Sequence, residues 1–266
     1  LKKNLNNILK KSILTRQSTR TYSGKKLSEK EVDKIKELIN HEEFKKGIFG
    51  NVRFELLENT NNSVIDSKFP FENPHSYIAV ISKNNRKSML DIGFTMEKVI
   101  LFLESMNLGT CWIASHFNRN NVELESPLKE GESVPVITPV GEKAKKRSRA
   151  DIKSRIVYNS DNRNDFDKLF FNYPKFGVIK NKETRKILEY VRLAPSAVNK
   201  QPWRIIMTED NTAHFYLSRS YSGGHYFDIQ TIDLGIAIAH YVITSGNDNY
   251  SDKNPKIKFE KNMDYV

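Results

Sequence analysis

Asp91-Ile92-Gly93-Phe94-Thr95-Met96 and Asp233-Leu234-Gly235-Ile236-Ala237-Ile238 carry one pattern, Asp-x-Gly opening an apolar run of helix length. Neither run has a clean polar face, so each helix is expected to be covered on most sides, as elements packed between two halves of a molecule are. The pattern repeats outward from these runs as well. Ser28 and Glu31 form a capping box ahead of Val32, Ile35, Leu38 and Ile39, which share one helical face. Asn181 is the matching cap ahead of Ile187, Leu188 and Val191, with Pro195 as a stop. Strand-like runs follow each amphipathic helix, Val52 to Leu57 and Arg204 to Thr208, and precede each buried one, Tyr77 to Ser82 and Ala213 to Ser218. The expectation is two α+β half-repeats. Residues 1–160 form the first and 161–266 the second, with the join between about Asp151 and Lys180, where polar turn-formers accumulate.

The chain of 266 residues is 38% hydrophobic and 11% aromatic, enough for a sizeable core. Its 43 Lys and Arg against 32 Asp and Glu leave +11, spread over the whole length. Such dispersed charge reads as surface lysine, not a polyanion-binding face, and no nucleic-acid partner is expected. A single cysteine, Cys111, excludes an internal disulfide and any multi-thiolate metal site, and the six histidines show no paired ligand spacing. No metal is expected, and a reducing, cytoplasmic setting is. The first residue is Leu and no signal-peptide core follows, so the true N-terminus stays open. The most apolar stretches are interrupted by Glu97, Lys98 and His240 and fall short of a membrane span.

Two further stretches carry chemistry. In Arg16-Gln17-Ser18-Thr19-Arg20, which follows an amphipathic run of Leu5, Ile8, Leu9 and Ile13, an extended backbone sends Arg16, Ser18 and Arg20 to one face. Two guanidiniums and a hydroxyl there suit a phosphate and an electron-rich ring. Ala194-Pro195-Ser196-Ala197-Val198-Asn199-Lys200-Gln201-Pro202-Trp203 is a proline-bounded helix-to-strand turn rich in short polar side chains. Gly223-Gly224 reads as a hairpin turn, not a phosphate loop.

These two motifs resemble the flavin-binding signatures of the nitroreductase family. Leu108-Gly109-Thr110-Cys111-Trp112-Ile113-Ala114-Ser115 is similar to that family's loop over the reactive edge of the flavin, and Val136 to Gly141 followed by Lys145-Lys146-Arg147 to its closing strand and phosphate-gripping Lys-x-Arg pair. The resemblance implies an α+β nitroreductase-like fold with mainly antiparallel sheets flanked by helices and long buried helices between the halves. It implies FMN held by Arg16, Gln17, Ser18, Arg20, Trp112, Ile113, Ala114, Ser115, Lys145 and Arg147 of the first half, and by Pro195, Ser196, Ala197 and Asn199 of the second. The reciprocal set is missing: Asn40 to Lys45 contains no Pro-Ser turn, and the second apolar run ends in Thr244-Ser245-Gly246-Asn247-Asp248. One flavin per chain follows, in a monomer that resembles the duplicated, single-chain members of the family.

In that picture the flavin carries the chemistry and no side chain need act as general acid or base. Arg20 is the candidate for tuning the ring. Hydride would pass from NAD(P)H to FMN and on to a nitroaromatic, quinone or similar small acceptor in ping-pong fashion. Two other classes stay open: a non-catalytic flavin- or nucleotide-binding sensor or storage protein, and a basic nucleic-acid-binding protein. Cys111 reads as a small core residue rather than a nucleophile.

Overall fold

The computed structural model describes residues 2–58, 64, 70–220, 226–249 and 263–265. Gly223-Gly224 lies outside them. Helix α1 (Lys2–Thr15) leads into the extended Arg16 segment, then α2 (Glu29–Asn40), the short α3 (Glu42–Lys45), and strands β1 (Arg53–Glu58) and β2 (Ser76–Lys83). The long α4 (Arg86–Ser105) is followed by β3 (Leu108–Thr110), α5 (Arg119–Leu124), β4 (Glu132–Ser133) and β5 (Ile137–Glu142). A connector of α6 (Arg149–Val157), α7 (Phe166–Leu169) and β6 (Phe170–Asn172) leads to α8 (Lys182–Arg192), a single 3-10 turn (Ala197–Asn199), β7 (Trp203–Met207), β8 (Ala213–Ser218), α9 (Ile229–Ser245) and β9 (Met263–Tyr265).

The local signals act as expected. Ser28 accepts from the Glu31 amide while the Glu31 carboxylate accepts from that of Ser28, completing the box that starts α2. Asn181 caps α8 through the Thr184 amide. That helix ends at Arg192, a turn short of Pro195, because the residue before a proline disfavours the helical region.

Strands β1, β2, β5 and β3 form an antiparallel sheet with β4 added to β2. The second sheet runs β6-β7-β8-β9, antiparallel except for the β6–β7 pair. Between the sheets α4 packs against α9, and one apolar core draws residues from Leu9 to Ile243. The two Asp-x-Gly glycines meet at this contact. A methyl group built on Gly93 would lie 2.0 Å from the Ile232 carbonyl oxygen and 2.9 Å from the Gly235 Cα, and one on Gly235 would lie 2.2 Å from the Leu90 oxygen. The helices touch backbone to backbone, a distance only glycine permits. No helix among the described residues is long and apolar enough to cross a membrane.

The connector departs from expectation. A region rich in polar turn-formers instead holds α6, capped by Ser148 on the Asp151 amide. Its inward side chains are Asp151, Ser154 and Arg155, whereas Ile152, Ile156 and Val157 are exposed. Its apolar side chains face outward, so the core-facing periodicity that marks a helix is missing on the inward side, which is why the sequence reads as loop.

Candidate functional site

The amino-terminal segment is fastened along β3: the Thr19 amide donates to the Thr110 carbonyl at 2.8 Å, and Ser18 pairs with Thr110 in a parallel bridge. Beside it, Cys111 donates its amide to Thr138 Oγ1 at 2.9 Å, and Ile113 bridges to Ile137 of β5. These attachments place the Arg16 segment and the Trp112 loop next to each other on one wall of a cavity of about 450 Å³, inside the range of ~300–1,000 Å³ typical of small-molecule sites.

The opposite wall is the turn after α8. Its backbone is strained: Val198 sits at φ 44°, Asn199 at 57° and Gln201 at 50°, a region that a β-branched residue such as valine adopts only when its surroundings impose it. Those surroundings are the connector. Asn199 Nδ2 donates to the carbonyls of Asn159 (2.7 Å) and Asn162 (3.1 Å). Gln201, almost fully buried, accepts from the Asn164 amide at 2.8 Å and donates back to Asn199. The polar residues of the turn thus lock down residues 159–164.

Arg16, Gln17, Ser18, Arg20, Trp112, Ile113, Ala114 and Ser115, with Pro195, Ser196, Ala197 and Asn199 from the turn after α8, all line this cavity. Lys145 and Arg147 do not; both side chains are exposed. Arg147 reaches the site only through Gln17, whose side-chain oxygen accepts from its guanidinium.

Two cavity arginines went unread in the sequence. Arg155 bonds Asp161 and donates to the Ser18 carbonyl at 3.5 Å, leaving a buried Nε without a partner. Arg163 donates to the carbonyls of Ser160, Asn162 and Leu193 and to Asn199 Oδ1. Among the described residues no carboxylate lies within ion-pair distance of Arg163, and its Nε is also buried and unpartnered. Burial, with the neighbouring charges of Arg16, Arg192 and Arg155, pushes the Arg163 guanidinium down to about 10, Asp161 opposing. Neither arginine lies in a motif or on an apolar face, so only their three-dimensional convergence marks them.

The cations of the Arg16 segment are partly matched. Arg20 Nη1 stands 3.4 Å from Asp151, and Arg16 Nε 4.0 Å from Glu97. Glu97, fully buried on α4, also accepts from Trp112 Nε1 at 2.9 Å and contacts His240 Nε2 of α9 at 3.0 Å, tying two cavity residues to both central helices. The cavity sums to a cationic vessel with an apolar side made by Trp112, Ile113, Ile229, Ile232 and Ile236.

Cys111 borders the cavity, yet it is buried and its thiol is raised above the usual range by burial, against the lowering influence of Arg20, Ser18 and Arg16. A thiol held protonated is a poor nucleophile. Iodoacetamide at neutral pH should leave the folded protein unlabelled and label it stoichiometrically in denaturant; rapid labelling of native protein would contradict the core role. Among the described residues no cluster of metal-ligating side chains occurs.

Comparison with known proteins follows the same lines. A crystal structure of a "putative nitroreductase" from Thermotoga maritima MSB8 matches at 25% identity and TM-score 0.58, over 89% of this chain and 83% of that one. Half-length matches include a nitroreductase family protein from Clostridium novyi NT (19% identity, TM-score 0.42, 52% of this chain and 88% of that one). Another is a nitroreductase with bound FMN from Bacteroides fragilis NCTC 9343 (16%, 0.40, 53% and 90%). No curated protein matches by sequence. The profile of the family described as "Putative TM nitroreductase" matches residues 8–245, and with the nitroreductase fold around the cavity it establishes that this chain belongs to that family.

Proposed function

We propose that the chain is an FMN-dependent oxidoreductase that takes hydride from NADH or NADPH and passes it to a nitroaromatic, quinone or similar small acceptor by a ping-pong route. One observation carries this reading: Arg16, Ser18 and Arg20, the Trp112 loop and the Pro195–Asn199 turn, far apart in sequence, line one cavity with a surplus of guanidinium charge. That surplus fits FMN. A partly buried arginine without an acid is costly by itself and is compensated when an oxyanion binds.

Arg16 and Arg163, with Arg147 acting through Gln17, would hold the phosphate. Ser18 would bond the ribityl chain, and Arg20 would stabilise negative charge on the reduced ring. Backbone groups of Ile113, Ala114 and Ser115, with Trp112, would lie along one side of the ring, and Pro195, Ser196, Ala197 and Asn199 would cover it. The isoleucines of α9 would keep water out. When bound, FMN supplies reversible storage of a hydride.

We also read the chain as two fused half-repeats with one site. Asp91 and Asp233 hold corresponding backbones: Asp91 Oδ1 accepts from the Ile48 and Phe49 amides at 2.6 and 2.9 Å, and Asp233 Oδ1 from the Ala197 amide at 2.9 Å. Only the second of these turns borders the cavity.

Titration of the purified protein with FMN tests the proposal. The expected result is about one FMN per monomeric chain, by flavin fluorescence quenching, and bleaching of the bound flavin by NADH or NADPH under anaerobic conditions. Protein that takes up no FMN overturns the flavin reading. Binding without bleaching by either nucleotide would instead make the chain a flavin-binding protein without reductase activity.

A further inference from the structure

Asp233 stands in the cavity wall and is 3% exposed. Its Oδ1 accepts from the Ala197 amide, whereas Oδ2 is buried with no hydrogen-bond partner. Its counterpart Asp91, in the same Asp-x-Gly register, is saturated: backbone amides of Ile48 and Phe49 both reach its Oδ1, and that of Gly50 adds to them. Asp91 lies away from the cavity. One sequence pattern therefore yields one carboxyl used up by its own turn and one with an oxygen to spare beside the ligand space. A buried polar atom left unpaired is destabilising unless something fills it.

We propose that Asp233, in its protonated form, donates a hydrogen bond through Oδ2 to an uncharged acceptor atom, a carbonyl oxygen or ring nitrogen, of a ring compound bound in the cavity. This rests on the flavin reading given above. Burial raises the carboxyl well above its ordinary range, the Ala197 amide opposes this and Asp228 adds to it. A neutral acid can donate where a carboxylate only accepts. In a cavity of guanidiniums it also marks a place where the ligand presents no negative charge.

The charge that acts from its own helix is Asp228, the α9 cap. Across the cavity stand Arg16 and Arg20 of the first segment, and Cys111 and His116 of the central loop. The connector adds Arg155, Tyr158, Asp161 and Arg163. Among the described residues α4, α8 and the strands place no charged side chain on this wall.

The test compares Asp233→Asn, which keeps an acceptor for Ala197 and a permanent donor toward the cavity, and Asp233→Ala, which has neither, with the unaltered protein at neutral pH. Two quantities are read: the Kd for FMN and, on flavin-loaded protein, the KM for a neutral quinone. Loss of the donor in Asp233→Ala should worsen one of the two about tenfold, while Asp233→Asn should keep it within about twofold of the unaltered protein. A change in Kd assigns the bond to the cofactor, and a change in KM alone assigns it to the acceptor. Both variants are checked for native circular dichroism, and the Asn variant keeps the comparison decisive if the Ala variant does not fold. An Asp233→Ala protein that retains both affinities, or an Asp233→Asn protein that loses one as Asp233→Ala does, overturns the inference. Failure of the unaltered protein to bind FMN removes the flavin reading and this inference with it.

Discussion

Replacing Gly93 by alanine is expected to destabilise the fold by about 3 kcal/mol or more, although the same change in an ordinary helix would stabilise it by about 1 kcal/mol through propensity. The new methyl would sit 2.0 Å from the Ile232 carbonyl oxygen and 2.9 Å from the Gly235 Cα. Both are backbone atoms that cannot rotate away as a side-chain tip could, so α4 and α9 must separate and the shared core must open with them. For a chain of this size such a loss lowers Tm by roughly 10 °C, measurable by calorimetry or circular dichroism. Gly235→Ala should behave alike, and the double variant should lose much less than the sum, because the first substitution already relieves the contact the second would crowd. A neutral or stabilising Gly93→Ala would show that the helices do not meet at these glycines.

Arg163→Met should weaken FMN binding about 100-fold, the loss expected when a charge-assisted contact to a phosphate is removed, and leave riboflavin, which lacks the phosphate, nearly unchanged. The ligand-free protein should become no less stable, and even more so, because the substitution removes a partly buried guanidinium that, among the described residues, hydrogen-bonds neutral groups alone. Affinity and stability thus move in opposite directions, which a simply structural arginine would not do. Arg147→Met is the companion variant. Its side chain is exposed and touches the site only through Gln17, so screening should hold its effect to about fivefold. If Arg147 proved the larger contributor, the phosphate would be gripped by the Lys-x-Arg pair that the family resemblance implies, and Arg163 would lose its assigned role.

The parts of the molecule legible in the sequence are those in which local chemistry and burial agree. Ser28 with Glu31, and Asn181, announce helices that exist. The Asp-x-Gly runs announce two helices buried along most of their length, and alternation of apolar residues announced β1, β2, β7 and β8 within a residue at each end. Twelve of the fourteen residues picked out for the site border one cavity, because the motifs carrying them are contiguous in the chain. Arg155 and Arg163 escaped notice for a physical reason. They lie on a helix whose polar side faces inward and in the loop after it, where neither period nor turn chemistry distinguishes a wall residue from a solvated one. The strain at Val198 was equally invisible, since a sequence normally marks a left-handed position with glycine and here tertiary bonds from Asn199 and Gln201 impose it.

The connector between the elements of the two sheets is at once tether and cavity wall: α6 and the loop after it carry Arg155, Tyr158, Asp161 and Arg163 to the cavity. In most two-part chains a linker can be lengthened, nicked or rebuilt while the pocket elsewhere is untouched. Here the stretch that links the two sheets also sets the electrostatics of the pocket, so chain connectivity and pocket charge cannot be altered independently. Re-engineering the specificity of this protein amounts to redesigning its joint.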